Sequence, residues 1–185
     1  MSLNVPLWIT GTALGIGALL TWKAVPSRTS RFPSRLIGSW DFLSFEVHTK
    51  QSDGTHIEYP LGRDVSGEVT YTADGHMSAQ MMAIGCPRFD NFYFFATDEE
   101  LTNAGKHFLG YAGTYSISEE DGEVIVHHHV KCSNFPNLVN GTVHRAVDLD
   151  GDILTLRPRD GTTSWKDNEG QPIVTWRRSK AATIL

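Results

Sequence analysis

The sequence predicts an all-β fold, an antiparallel barrel, and three observations predict it. Apolar and polar residues alternate with period two through several short runs, the pattern of strands with one buried face. Turn signals separate those runs: Ala73-Asp74-Gly75, Ser118 to Gly122 and Asp150-Gly151-Asp152. No crossover helix divides most neighbouring runs, so hairpins can follow one another and close on themselves, which removes exposed edges. The chain has 185 residues, 40% hydrophobic and 20% charged, enough for one domain with a core.

In chain order, Val5 to Trp22 is an apolar run of 18 residues without a charge. That meets the lower end of a membrane-spanning helix, about 17–25 residues. A secretory signal is a rival, although Met1-Ser2-Leu3-Asn4 lacks its basic start. A buried or interfacial helix is another. Lys23, Arg28, Arg31 and Arg35 all follow the run, which puts the following domain on the cytoplasmic side of a single-pass anchor, at the endoplasmic reticulum. The expected division is a hydrophobic anchor over 1–24, a basic linker over 25–35 near anionic headgroups, and the barrel over 36–180. All 21 acids lie in the barrel against the remaining bases, a poor match for a nucleic-acid backbone. Two cysteines, Cys86 and Cys132, do not make a disulfide framework and read as free thiols. Asn140-Gly141-Thr142 is a glycosylation sequon that also reads as a plain turn.

The first strand spans Leu36 to Val47, with Trp40, Phe42, Ser44 and Glu46 expected on one face. His56 to Pro60 is a short edge strand, since Pro60 has no N–H for a ladder. Ser66 to Thr72 and His76 to Ile84 form a hairpin around Ala73-Asp74-Gly75. Gly85 to Phe95 breaks the alternation with aromatics at Phe89, Phe92, Tyr93, Phe94 and Phe95. Thr97 caps a short helix to about His107, with acids in its first turn. Such an insertion serves as a lid or plugs the barrel end as core. Leu109 to Ile117, a histidine-bearing strand from Glu123, Val143 to Leu149, Ile153 to Arg157 and Val174 to Arg178 complete the barrel.

The histidine strand draws most attention. Val124, Val126, His128 and Val130 share the face expected to meet the core, and His127 and His129 share the other. The Phe135-Pro136-Asn137 loop follows.

Several of these pieces, in order, resemble the lipocalin-like domain family of bacteria and fungi. They are GSWDFLSFE from Gly38, YPLG from Tyr59, YTADGHMSAQ from Tyr71, PRF from Pro87, YAGTYSI from Tyr111, HHV from His128, FPN from Phe135 and the terminal WRR from Trp176. Gly38-Ser39-Trp40 resembles the G-x-W signature of the wider lipocalin superfamily. Arg177 or Arg178 resembles the arginine that closes over its tryptophan. The resemblance implies a small barrel with an internal pocket. It also implies kinship with fungal barrels recruited as cofactor-free cyclases, some of Diels–Alder type, in natural-product pathways.

Three functions follow as expectations. In the first, the barrel folds a hydrophobic polyketide-like or terpenoid substrate for pericyclic ring closure or isomerisation, alongside other biosynthetic enzymes. His128, Glu46, Gln80 and Tyr115 are its candidate catalytic groups, polarising a carbonyl or moving a proton. Trp40, Phe42, Ser44, Tyr71, Met81, Phe89, Phe94 and Phe135 are the candidate substrate-binding residues. No nucleotide fingerprint is present and no cofactor is called for. In the second, the same pocket passively carries a small apolar ligand. In the third, His127, His129 and His144 meet across a hairpin that pairs Lys131 with Thr142, and hold zinc. The second face of that strand is equally well suited to water, where histidines are ordinary.

Overall fold

A computed structural model describes residues 32, 34–166 and 168–180; the expected anchor at 1–24 lies outside them. The strands are β1 (Gly38–Gln51), β2 (Gly54–Glu58), β3 (Val65–Tyr71), β4 (His76–Ala83), β5 (Phe108–Glu120), β6 (Glu123–Ser133), β7 (Thr142–Asp150), β8 (Ile153–Pro158), β9 (Thr163–Trp165) and β10 (Asn168–Arg178). A helix, α1 (Asp98–His107), precedes β5. All pairings are antiparallel, in the order β2-β1-β3-β4-β5-β6-β7-β8-β10-β9, and β1 also pairs with β10. That last pairing closes a ring of eight strands, with β2 and β9 as flaps on β1 and β10. Among the described residues, no helix is long and apolar enough to cross a membrane.

The paired strands β1 and β10 are both longer than the sequence pattern predicts. β10 begins at Asn168, well before the expected Val174, because Gly170 and Pro172 hide its alternation. Pro172 is tolerated opposite Val47 in a ladder already irregular nearby.

A bulge in β1 corrects the expected faces. Phe42 pairs with Trp176 and Ser44 with Thr175, which leaves Leu43 as an extra residue. One extra residue inverts the period-two alternation downstream. Trp40 and Phe42 therefore face inward before the bulge, and Phe45, Val47 and Thr49 after it. Ser44 and Glu46 turn outward, where Glu46 accepts from or pairs with His48 Nε2 at 2.7 Å.

β6 carries a second bulge at Lys131, since Ala112 pairs with Cys132 and Gly113 with Val130. Gly113 has no side chain for a reason: a Cβ there would lie 1.9 Å from the His129 carbonyl oxygen. The β6–β7 hairpin closes at Val130, whose N–H donates to Gly141 O at 3.0 Å. The register is therefore two residues from the expected one. His129 stands opposite Thr142, and His127 is the residue that meets His144.

The core fills the end of the barrel where β1 begins and β10 ends. Trp40, Val69, Tyr71, Met77, Ala79, Met81, Val126, Leu154, Leu156 and Trp176 form it. Arg178 stacks its guanidinium 4.0 Å over the Trp40 ring and donates to Ile37 O, closing this end. Trp40 Nε1 donates to Leu36 O at 2.9 Å, and fully buried Leu36 ends a helical turn over 34–36. At the opposite end the inward-facing Phe45, Leu61, Val65, Leu109 and Tyr111 are only partly buried.

The aromatic insertion arrives at that second, looser end. Thr97 caps α1 through a full capping box with Glu100, as its sequence requires. The Glu100 carboxylate also accepts from Asp90 N at 2.7 Å, which ties the aromatic segment to the helix.

Candidate functional site

Three side chains form a polar chain inside the barrel. β6 brings in His128 on its valine row, β3 brings Tyr71 and β5 brings Tyr111. Tyr71 Oη lies 2.9 Å from His128 Nε2, and Tyr111 Oη lies 3.0 Å from His128 Nδ1. Burial, then the nearby Arg145 charge, pushes the His128 pKa down to about 3, so the ring is neutral at ordinary pH. Burial likewise raises Tyr71 well above its usual value and raises Tyr111, so both keep their protons.

Proton counting limits the hydrogen bonds to two arrangements. A neutral imidazole has one N–H and one acceptor nitrogen. One tyrosine must donate to it and the other accept from it, and the acceptor retains an unused O–H. Tyr71 is 1% exposed, so an unused donor there would be stranded without water. The stable arrangement has Tyr71 donating to Nε2 and Nδ1–H donating to Tyr111 Oη. That arrangement leaves the unused O–H on Tyr111, the less buried of the two residues.

Two further donors join it. Arg145 occupies the inward row of β7, opposite Val126 and between Val143 and Val147. Its charge acts on Tyr71, Tyr111 and His128 alike. Among the described residues its guanidinium has no hydrogen-bond or ion-pair partner. Trp176 Nε1, buried on the β10 wall with Phe42 packed edge-on at 5.5 Å, also lacks an acceptor. Trp176 Nε1 is thus a buried donor without a protein acceptor, and the partly exposed Arg145 is a second donor on the inward row.

A profile of the lipocalin-like domain family matches residues 37–179, nearly the whole barrel. The chain belongs to that family. One relative is the 4'-hydroxy-3'-methoxypropiophenone carrier protein of Aspergillus oryzae, 40% identical over 85 residues, 43% of this chain and 77% of that one. Among solved structures, a redesigned beta barrel is similar with a TM-score of 0.35 and 12% identity, over 80% of this chain and 95% of that one.

In this lipocalin-like barrel the expected site residues separate into two groups. His128, Tyr71, Tyr115, Met81, Trp40 and Phe42 share the interior, with the Tyr115 ring edge-on to Tyr71 at 5.1 Å. Tyr115 Oη donates to Thr72 O at 2.9 Å, so its hydrogen is already used. Ser44 and Glu46 are outside because of the bulge. Gln80 is outside because β4 turns Met77, Ala79 and Met81 inward and leaves Gln80 between Ser78 and Met82. Phe94 and Phe135 are exposed, at 79% and 47%. Phe89 stacks on Tyr93 and lines a cleft of about 710 Å³ with Met82, Leu101 and Phe108. A neighbouring cleft of about 740 Å³ shares Met82, Cys86 and Phe108 and runs along the outer face of β3 and β4.

Tyr111 and Arg145 were missed. Arg145 carried a readable signal, an arginine in the apolar row Val143, Val147 and Leu149. His127 and His144 sit on the outer face with Nδ1 atoms 2.7 Å apart, while Ser118 meets His127 Nε2 and Thr142 meets His129. Among the described residues no three metal-ligating side chains converge.

Proposed function

We propose that this protein is a carrier for a small aromatic compound bearing a carbonyl or phenol oxygen, in secondary metabolism. The observation that carries the reading is the donor left over in the Tyr71–His128–Tyr111 chain. A buried donor without a protein acceptor is costly, and a ligand oxygen removes that cost. Apolar walls at the looser end supply the remaining affinity. The Aspergillus relative is named for carrying 4'-hydroxy-3'-methoxypropiophenone, an aryl ketone whose oxygens can accept such a hydrogen bond.

Ring closure is less well supported. Glu46 and Gln80 stand outside the barrel, and both nitrogens of His128 are occupied. What remains inside the barrel is a polar chain whose histidine nitrogens are both engaged.

Titration with 4'-hydroxy-3'-methoxypropiophenone, followed by tryptophan fluorescence, tests the proposal. Saturable one-to-one binding is expected, with the ligand recovered unchanged. Tyr111→Phe is expected to weaken binding roughly tenfold. No binding up to the solubility limit overturns the carrier reading, and steady conversion of ligand makes the protein an enzyme instead.

A further inference from the structure

Outside the barrel, against β4 and β5, the chain builds a cleft of about 710 Å³ that it does not fill. One wall is Phe108, whose ring lies over Gly110: a Cβ at that glycine would meet the ring at 2.6 Å. A second wall is the stacked pair Phe89 and Tyr93, with ring centroids 5.9 Å apart and planes 22° from parallel. The third is α1, which lines the cleft with Leu101, Ala104 and Gly105, the i, i+3, i+4 stripe that a helix ordinarily buries. Here no residue of α1 is buried. Leu101 stays 38% exposed and Met82, on the β4 side, 43%.

The opening is held by the fold. The Glu100 carboxylate accepts from both Thr97 N and Asp90 N at 2.7 Å, so the aromatic segment and the helix are tied to each other. Gly105 keeps the helix wall thin. Its backbone is not left-handed, so no turn requires a glycine there. No neighbouring group lies within 4 Å of the place its Cβ would take. A glycine weakens a helix relative to alanine, and neither backbone nor packing within the chain repays that loss.

The lining defines the occupant. None of the residues around the cleft is charged, which favours a neutral body. Its volume falls within the roughly 300–1,000 Å³ of small-molecule sites. Aromatic walls favour a flat aromatic ring, stacked or edge-on. One polar group is set in place: Asn134 Oδ1 accepts from Gly110 N at 2.7 Å and Nδ2 donates to Phe108 O at 2.7 Å. That fixes the amide and leaves it one N–H to give.

We propose that this outer cleft is a second binding site, taking a neutral, flat aromatic ketone against Phe108 and the Phe89–Tyr93 pair, with its carbonyl on the spare Asn134 N–H. The site goes beyond the carrier reading and does not use the Tyr71–His128–Tyr111 chain.

The full chain is titrated with prodan, a flat naphthyl ketone dye whose emission moves to the blue in apolar surroundings. Cys86 lines the cleft and Cys132 does not, so alkylation by iodoacetamide, read by peptide mass, reports where the dye sits. Saturating dye should slow Cys86 at least tenfold and leave Cys132 unchanged. Gly105→Leu should fill the cleft and weaken the dye at least tenfold without lowering the melting temperature, since leucine is the better helix former. Tyr111→Phe should leave dye affinity unchanged. If Gly105→Leu does not fold, Cys86 protection in the wild type decides. A folded Gly105→Leu that binds as before, or no blue shift up to the dye's solubility limit, overturns the site. A dye weakened by Tyr111→Phe with Cys86 unprotected lies in the barrel, which overturns the outer site and leaves the carrier standing. Self-association that Gly105→Leu abolishes makes a second copy the occupant and overturns it too.

Discussion

His128 is a charge the fold refuses to accept. Its ring is sealed between two tyrosines, and burial, then the Arg145 charge, depresses its pKa to about 3 from an ordinary 6.5. The consequence for stability has a definite sign. Between those values the unfolded chain binds a proton at this position and the native barrel does not, so stability is present above pH 6.5 and lost as pH falls towards 3. The slope from this one group approaches about 1.4 kcal/mol per pH unit. Urea midpoints of wild type and His128→Phe, compared at pH 7 and pH 5, should show the variant less stable at pH 7 by about 1–3 kcal/mol, from the stranded Tyr71 hydroxyl and the hydrogen bond that Tyr111 no longer accepts. The variant should also lose less on acidification, and an equal acid loss in both proteins would reject the account. That His128 faces inward was legible from Val124, Val126 and Val130 around it. Its partners were only half legible: Tyr71 lies on a strand of clear alternation, whereas Tyr111 sits among small residues, Gly110 and Ala112, that give no periodic signal.

At the scale of elements, single inserted residues decide which side chains reach the interior. Alternation places Trp40 and Phe42 correctly, but Leu43 is apolar and gives no hint that it is the extra residue. Hence Ser44 and Glu46 read as inward from sequence and stand outward in the barrel. No turn residue or glycine marks the slip, and only the partner strand β10 reveals it. The cap of α1 is the opposite case, because the chemistry of Thr97 and Glu100 is local and was fully legible. Glu100 has a second task, through Asp90 N, of fixing the aromatic segment over the 710 Å³ cleft. Glu100→Ala should leave the barrel's melting transition nearly unchanged while trypsin cleavage after Arg88 speeds up several-fold. Cleavage at the wild-type rate would mean the segment is held by its aromatic contacts alone.

For the whole molecule, the two ends of the barrel differ in kind. The end where β1 begins is sealed by Trp40, Leu36 and Arg178, and the other end holds the half-buried Tyr111 side and the aromatic insertion. We propose that residues 1–24 tether the chain to a membrane, which would leave the looser end free to exchange ligand. The seal also extends the barrel upstream of its first strand. Phe32 packs on the core, Leu36 is fully buried, and Arg178 donates to both Arg35 O and Ile37 O. A chain starting at Ser30 should therefore match the full protein in urea midpoint. One starting at Gly38 should lose about 3–5 kcal/mol, because Leu36 leaves a void beside Trp40 and Arg178 loses its acceptors. Flotation with zwitterionic vesicles separates the tether from the barrel surface. The full chain should float and the Ser30 chain should stay in solution; if both float, the exposed Phe92, Phe94 and Phe95 are the membrane contact and the tether is rejected.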